Sequence, residues 1–258
     1  MRHAFLLGEI MSQNRTDYIH KKVKQKRILR NAIVGFIMLL IGVGIYVVLN
    51  FNKVQGNAAH HVQRTALSAT KKARQKEKPS YNFNAVQPVS PASLLNAYNH
   101  RFDYRAIGQI SIPRFGINLN IYQGVGNVEL NLGVGTMNPN EVMGKGNYAL
   151  AGHNMDDGRS FFSPLYTAKV RGQINSDTKI MITDYKMVYY YKVTQSSFIS
   201  RYRTDLLEDK PEFKKTPVIS LFTCDWTGAG RLFVRGELTG YQSMKSASNY
   251  VKNSFYQD

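Results

Sequence analysis

Cys224 is the only cysteine among 258 residues, and it closes the apolar run Val218-Ile219-Ser220-Leu221-Phe222-Thr223-Cys224, seven residues before Arg231. His153 lies far upstream, in Ala149-Leu150-Ala151-Gly152-His153. One thiol forms no internal disulfide. A thiol nucleophile, an imidazole that moves protons and a guanidinium that meets a developing oxyanion are the set that thiol-based acyl transfer draws from separate segments. A lone cysteine is more commonly a small buried hydrophobe, so its surroundings decide between the two readings.

The elements that must position these residues begin with a membrane segment. No charged residue occurs from Asn31 to Asn52, and Ala32 to Phe51 is almost wholly apolar. Twenty helical residues at about 1.5 Å each cover roughly 30 Å, the hydrocarbon thickness of a bilayer. The run exceeds a signal-peptide core, and no small-x-small cleavage site directly follows it, which predicts an uncleaved anchor over residues 31–52. Lys21, Lys22, Lys24, Lys26, Arg27 and Arg30 precede the span, against only Lys53 and Arg64 in the fifteen residues after it. This asymmetry predicts a plasma-membrane protein with residues 1–30 cytoplasmic and the remainder extracytoplasmic. An unpaired thiol outside the cell is uncommon unless it reacts.

The net charge of +17 flanks the span: residues 1–30 hold eight Lys/Arg against two acids, residues 52–89 seven against one, and residues 90–258 carry only +5. Anionic headgroups and an acidic wall polymer fit that distribution better than nucleic acid, and no nucleic-acid-binding signature accompanies it. Residues 53–89 read as an extracytoplasmic linker, with Val62 to Lys76 partly helical. The adjacent His60 and His61 lack a third ligand at metal spacing.

A folded domain is expected over residues 90–258. Ser90-Pro91 reads as an N-cap followed by Pro at the first helical position. Strands follow at 106–112, 117–122, 147–151, 179–183, 187–193, 218–224 and 232–238, separated by Gly, Pro, Asn and Asp. Short, closely spaced strands over about 170 residues predict one mostly β domain, a closed or nearly closed barrel. If the last two strands pair through Asp225-Trp226-Thr227-Gly228-Ala229-Gly230, Cys224 and Arg231 face each other across the strand ends. A neighbouring cation favours thiolate or holds a carbonyl oxygen under attack.

Leu221-Phe222-Thr223-Cys224 with Arg231, and Leu150-Ala151-Gly152-His153 upstream, resemble the signature of the sortases, the cysteine transpeptidases that attach proteins to Gram-positive cell walls. The stretch from Gly135-Thr136-Met137-Asn138-Pro139 through Gly144-Lys145-Gly146 to His153 is most similar to class A, housekeeping enzymes of the streptococcal and lactobacillus type. A single amino-terminal anchor also suits that class. The resemblance implies a closed eight-stranded barrel with short helices. Its reaction would cleave an LPxTG-type signal between Thr and Gly through a Cys thioester, then transfer the protein to an amine of a lipid-linked peptidoglycan precursor. Cys224 would be the nucleophile, His153 the proton-transfer group and Arg231 the oxyanion or backbone binder.

The resemblance also implies an apolar groove for the Leu-Pro part of the signal, formed by Ala151, Phe222 and Thr223, with Met137 and residues 199–207, Leu206 among them, completing its wall. No cofactor is expected. Staphylococcal-type relatives bind calcium through acids before the catalytic His, where this chain has Asn138, Glu141 and Lys145; an ammonium there opposes a divalent cation. Asp156-Asp157-Gly158 reads as a turn. Two rivals stand beside this reading. An L,D-transpeptidase would carry Gly before its Cys and Arg two residues after it, where this chain has Thr223 and Trp226; the other rival is a non-catalytic, membrane-tethered binding module.

Overall fold

The computed structural model describes residues 2–70, 72–155, 157–225 and 228–255. The chain divides into two compact units, residues 1–51 and 52–258. The first is one helix, α1 (Arg2–Leu49). Within it Lys24–Leu49 is 26 residues long and apolar enough to cross a membrane. It is a candidate membrane span by length and composition.

The second unit is built on a closed barrel of eight strands in the order β1-β2-β3-β4-β7-β8-β6-β5. The strands are β1 (Gly108–Ile112), β2 (Ile117–Tyr122), β3 (Val134–Thr136), β4 (Asn147–Ala151), β5 (Lys179–Thr183), β6 (Met187–Ser200), β7 (Val218–Cys224) and β8 (Gly230–Ser243). Alternate residues point inward, as the pleat requires: Ile110 and Ile112, Ile180 and Ile182, Ile219 and Leu221, Leu232 and Val234 meet in one buried core. All seven sequence-predicted strands are present. The eighth, β3, is only three residues long and carries no period for a sequence pattern to reveal. β6 and β8 run past their apolar stretches, pairing through two bulges, because backbone pairing extends beyond the residues that bury side chains.

Short helices decorate the barrel: α2 (Phe51–Ala69), α3 (Pro91–His100), α4 (Asn127–Leu132), α5 (Ser163–Val170) and α6 (Asn249–Phe255). The expected cap of α3 forms, with Ser90 Oγ accepting from the Ser93 amide at 3.1 Å and the Ser90 amide donating to Ser93 Oγ at 2.9 Å.

The structure departs from the linker reading of residues 53–89. Helix α2 buries Gly56, Ala59, Val62, Gln63, Ala66 and Ala69, a helical stripe at three- and four-residue spacing. Its small side chains let it lie close against Leu94 and Ala97 of α3, Tyr122, Leu132 and Phe161. Asn120 Nδ2 donates to the Ala66 carbonyl at 2.9 Å, which anchors the helix to β2. The chain after it is also fixed: the Val125 amide donates to Ser80 O at 2.7 Å, and the Gln87 amide to Asn127 Oδ1 at 2.8 Å. Composition concealed this, since Ala, Gly, His and Gln resemble linker composition. Lys71, in the basic run, lies outside the described residues.

Candidate active site

Two register relations bring the chemistry together. β4 and β7 are parallel neighbours with Ala151 opposite Phe222, and the Gly152 amide continues the ladder by donating to Phe222 O at 3.1 Å. His153 and Cys224 each stand two residues beyond that pair, so both leave the sheet at the same end. β7 and β8 are antiparallel with Cys224 opposite Arg231, as the hairpin reading expected. Trp226 and Thr227 of the connecting loop lie outside the described residues. Cys224, His153 and Arg231 all line one cleft of about 1240 Å³.

Each side chain has a distinct environment. Cys224 is half-buried. Its carbonyl accepts from Asn154 Nδ2 at 2.9 Å, which ties the residue after the histidine to the end of the cysteine strand. His153 is 8% exposed, and its buried Nε2 has no hydrogen-bond partner among the described residues. Burial pushes the imidazole down to about 4 from 6.5, because a charged ring in an apolar setting loses its hydration; it is neutral at pH 7. Phe161 stands edge-on to it, with centroids 5.4 Å apart and planes at 72°. Arg231 Nη1 donates to the carbonyls of Gly228 at 2.9 Å and Gly230 at 2.7 Å; among the described residues its other N–H groups have no hydrogen-bond partner.

The predicted groove residues separate into three positions. Met137 and Phe222 line the cleft. Ala151 and Leu206 pack with them in the same apolar cluster, beside Phe233 and Ile199. Thr223, 2% exposed, is not in the cleft lining; strand alternation directs it away from Phe222, to the barrel side shared by Leu221, and its Oγ1 has no partner among the described residues. The wall also contains residues that sequence reasoning assigned to the linker. Tyr81, Phe83 and Val86 line the cleft, and Val86 packs against the Met137–Phe222 cluster.

A second omission is a buried polar network that holds the groove wall. Asn147 Nδ2 donates to the Leu206 carbonyl at 2.9 Å, and Arg235 Nη2 donates to the same oxygen at 3.0 Å. Ser220 Oγ donates to Asn147 Oδ1 at 2.7 Å and accepts from Arg235 Nε at 3.2 Å. The Arg235 guanidinium lies 5.0 Å from the Phe213 ring centroid and 4.9 Å from that of Phe233. These bonds fix the 3-10 turn Thr204–Leu207, which carries Leu206 to the groove. Ser220, polar within the apolar β7 run, was the sequence signal that something buried had to pair with it.

At the positions matched to calcium ligands, Glu141 makes other bonds. Its Oε1 accepts from the Asn138 amide at 3.1 Å and from Asn138 Nδ2 at 3.0 Å, and its Oε2 from the Ala149 amide at 3.0 Å. Burial outweighs these donors and pushes the carboxyl up to about 8. Lys145 lines the adjoining pocket together with Glu208 and Asp209, and among the described residues no group of three or more His, Cys, Asp or Glu is arranged to hold a metal. Asp156 lies outside the described residues. Asp157 forms a turn, its Oδ1 accepting from the Arg159 and Ser160 amides at 3.0 Å each.

Comparison with known proteins converges on one family. A family profile described as "Sortase domain" matches residues 110–239. The chain is 34% identical over 231 residues to a protein named Sortase A of Streptococcus agalactiae serotype III (strain NEM316), covering 85% of this chain and 89% of that one. It is 30% identical over 164 residues to Sortase A of Listeria monocytogenes serovar 1/2a (strain ATCC BAA-679 / EGD-e), covering 64% and 69%. Among solved structures, Listeria monocytogenes sortase A shares 30% identity at a TM-score of 0.51, covering 58% of this chain and 96% of that chain. Sortase C-3 of Streptococcus pneumoniae, at 18% identity, TM-score 0.50 and coverage of 80% and 91%, shares the fold alone.

Proposed function

Because this chain belongs to the sortase family and is a class A-like cysteine transpeptidase, we propose that it cleaves an LPxTG-type signal between Thr and Gly and joins the upstream protein to an amine of a lipid-linked peptidoglycan precursor. The observation that carries this reading is the joint presence in one cleft of a half-buried thiol, a buried neutral imidazole whose Nε2 has no partner among the described residues, and a guanidinium, beside an apolar wall. In the first half-reaction Cys224 Sγ adds to the Thr carbonyl carbon, and the thiol proton passes to His153. The C–N bond to Gly breaks as His153 returns that proton to the departing nitrogen, leaving a thioester on Cys224. In the second, an amine adds to the thioester carbonyl, His153 takes the amine proton, and the C–S bond breaks as the proton returns to sulfur. Arg231 meets the carbonyl oxygen while it is negative.

A neutral resting histidine suits this sequence, since it must first accept a proton. Met137 and Phe222, with Ala151 and Leu206 behind them, would receive the Leu-Pro part of the signal. Thr223 would serve as support for the adjacent cysteine rather than as groove wall. The family leaves no place for the L,D-transpeptidase or the non-catalytic module. The apolar stretch of α1 would hold the enzyme in the plasma membrane with its amino end cytoplasmic, in line with the Lys/Arg asymmetry, and the catalytic domain expected over residues 90–258 would be extracytoplasmic together with the helix α2 that packs on it.

Intact-mass spectrometry of the enzyme with an LPxTG peptide and a small amine tests the reaction. A thioester adduct, the released Gly-containing fragment and the amine-capped product are expected together. Cys224→Ala should yield none of them. Adduct formation or cleavage in that variant would end the assignment.

A further inference from the structure

The loop after His153 is held in an unusual way. Phe161 is 1% exposed and adopts φ 52°, the left-handed region that bulky residues avoid. Such a conformation persists only where its surroundings over-determine it, and here they do. Ser160 Oγ donates to Asp157 Oδ2 at 2.5 Å and lies 3.3 Å from the Gly56 carbonyl of α2, while the Phe162 amide donates to His153 O at 3.0 Å. Arg159 Nη2 donates to Asn57 Oδ1, also on α2, at 3.0 Å. The result drives the Phe161 ring into one buried cluster with Ala59, Val62 and Ala66 of α2, with the ring also standing edge-on to the His153 imidazole.

We infer that helix α2, acting through Phe161, is a positioning element for His153 and therefore part of the working enzyme rather than a tether. The inference rests on His153 as the proton-transfer group. The edge contact sets the plane of the imidazole and denies water that side of it. Cys224, Arg231 and Asp225 share the cleft with the ring. His60 and Arg64 of α2, with Arg159, border the recess that Phe161 also lines, and Asp157 caps the same loop. Among the described residues, burial is what lowers the imidazole. A residue that supplies part of that burial therefore helps keep His153 neutral and ready to accept a proton.

The test uses the full-length chain in detergent. For Phe161→Leu, which keeps the site apolar but removes the ring, kcat on an LPxTG peptide should fall at least about tenfold with KM changed less than about twofold. The His153 Cε1–H resonance, identified by its absence in His153→Gln, should titrate at least about one pH unit higher than in wild type. Val62→Ala, which loosens α2 without touching the cleft, should move the midpoint in the same direction by less. A His153 midpoint unmoved in Phe161→Leu overturns the inference, as does a loss of kcat matched by an equal loss of native circular dichroism. If Phe161→Leu does not fold, Val62→Ala decides alone, an unmoved midpoint again overturning it. Should the wild-type chain leave the peptide uncut, the sorting reaction falls, and the titration midpoints still decide whether α2 positions the ring.

Discussion

Arg231 shows how far one side chain's chemistry follows from its place in a ladder. Its register opposite Cys224 brings both residues to the lining of one cleft, and its two bonds to the Gly228 and Gly230 carbonyls use only Nη1. Arg231→Lys keeps the charge but loses the planar fork that can grip loop carbonyls and a substrate oxygen together. Turnover on an LPxTG peptide should fall at least about tenfold, equivalent to roughly 1.4 kcal/mol of transition-state stabilisation. A wild-type rate from the lysine variant would mean that Arg231 supplies diffuse charge only. The three side chains proposed to react could be singled out in the sequence because a sole cysteine, a histidine and an arginine with such flanks are rare, and the fold brings them to one cleft. Asn154, Phe161 and Arg235 were not legible: an amide, a phenyl ring and a second strand arginine acquire roles only from what folding sets against them.

The parallel pairing of β4 with β7 does most to assemble the site, and the strands that make it were readable end to end because both are short, apolar and bounded by turn residues. Helix α2 was only partly readable, over its last residues from Val62, and its docking was not, since its buried face is mostly Ala and Gly and contributes fit more than bulk. Its packing makes the boundary near Ser90 a poor place to begin the catalytic unit. A chain starting at Ser90 loses Val62 and uncovers Phe161, Tyr122 and Leu132; at roughly 1.5–3 kcal/mol for each large apolar side chain transferred to water, it should be less stable by at least about 3 kcal/mol than one starting at Asn52. Urea unfolding of the two fragments measures the difference. Equal midpoints would return residues 53–89 to the status of a tether.

Within the unit formed by residues 52–258, two buried groups contribute opposite slopes to the response to pH. Burial lowers His153 from 6.5 to about 4, so within that window the unfolded chain binds a proton that the folded chain excludes. Stability is therefore lost as pH falls through it, on the order of 3 kcal/mol when complete. Burial raises Glu141 from 4.5 to about 8, so the folded chain keeps a proton that the unfolded chain releases, and stability is lost as pH rises through that range. Glu129, raised by the same cause, adds to the second slope. Between pH 4.5 and 6.5 the two slopes oppose each other; above that only the carboxyls act, and below it only the histidine of these groups remains. Unfolding midpoints in urea, followed by circular dichroism, should form a plateau over that interval and decline on both sides. Glu141→Gln should flatten the alkaline decline and His153→Gln reduce the acid one, whatever either costs in absolute stability. A wild-type midpoint that rises from pH 6.5 to 8 would show instead that Glu141 is ionised in the folded chain, its charge held by the Asn138 and Ala149 donors rather than neutralised by a proton.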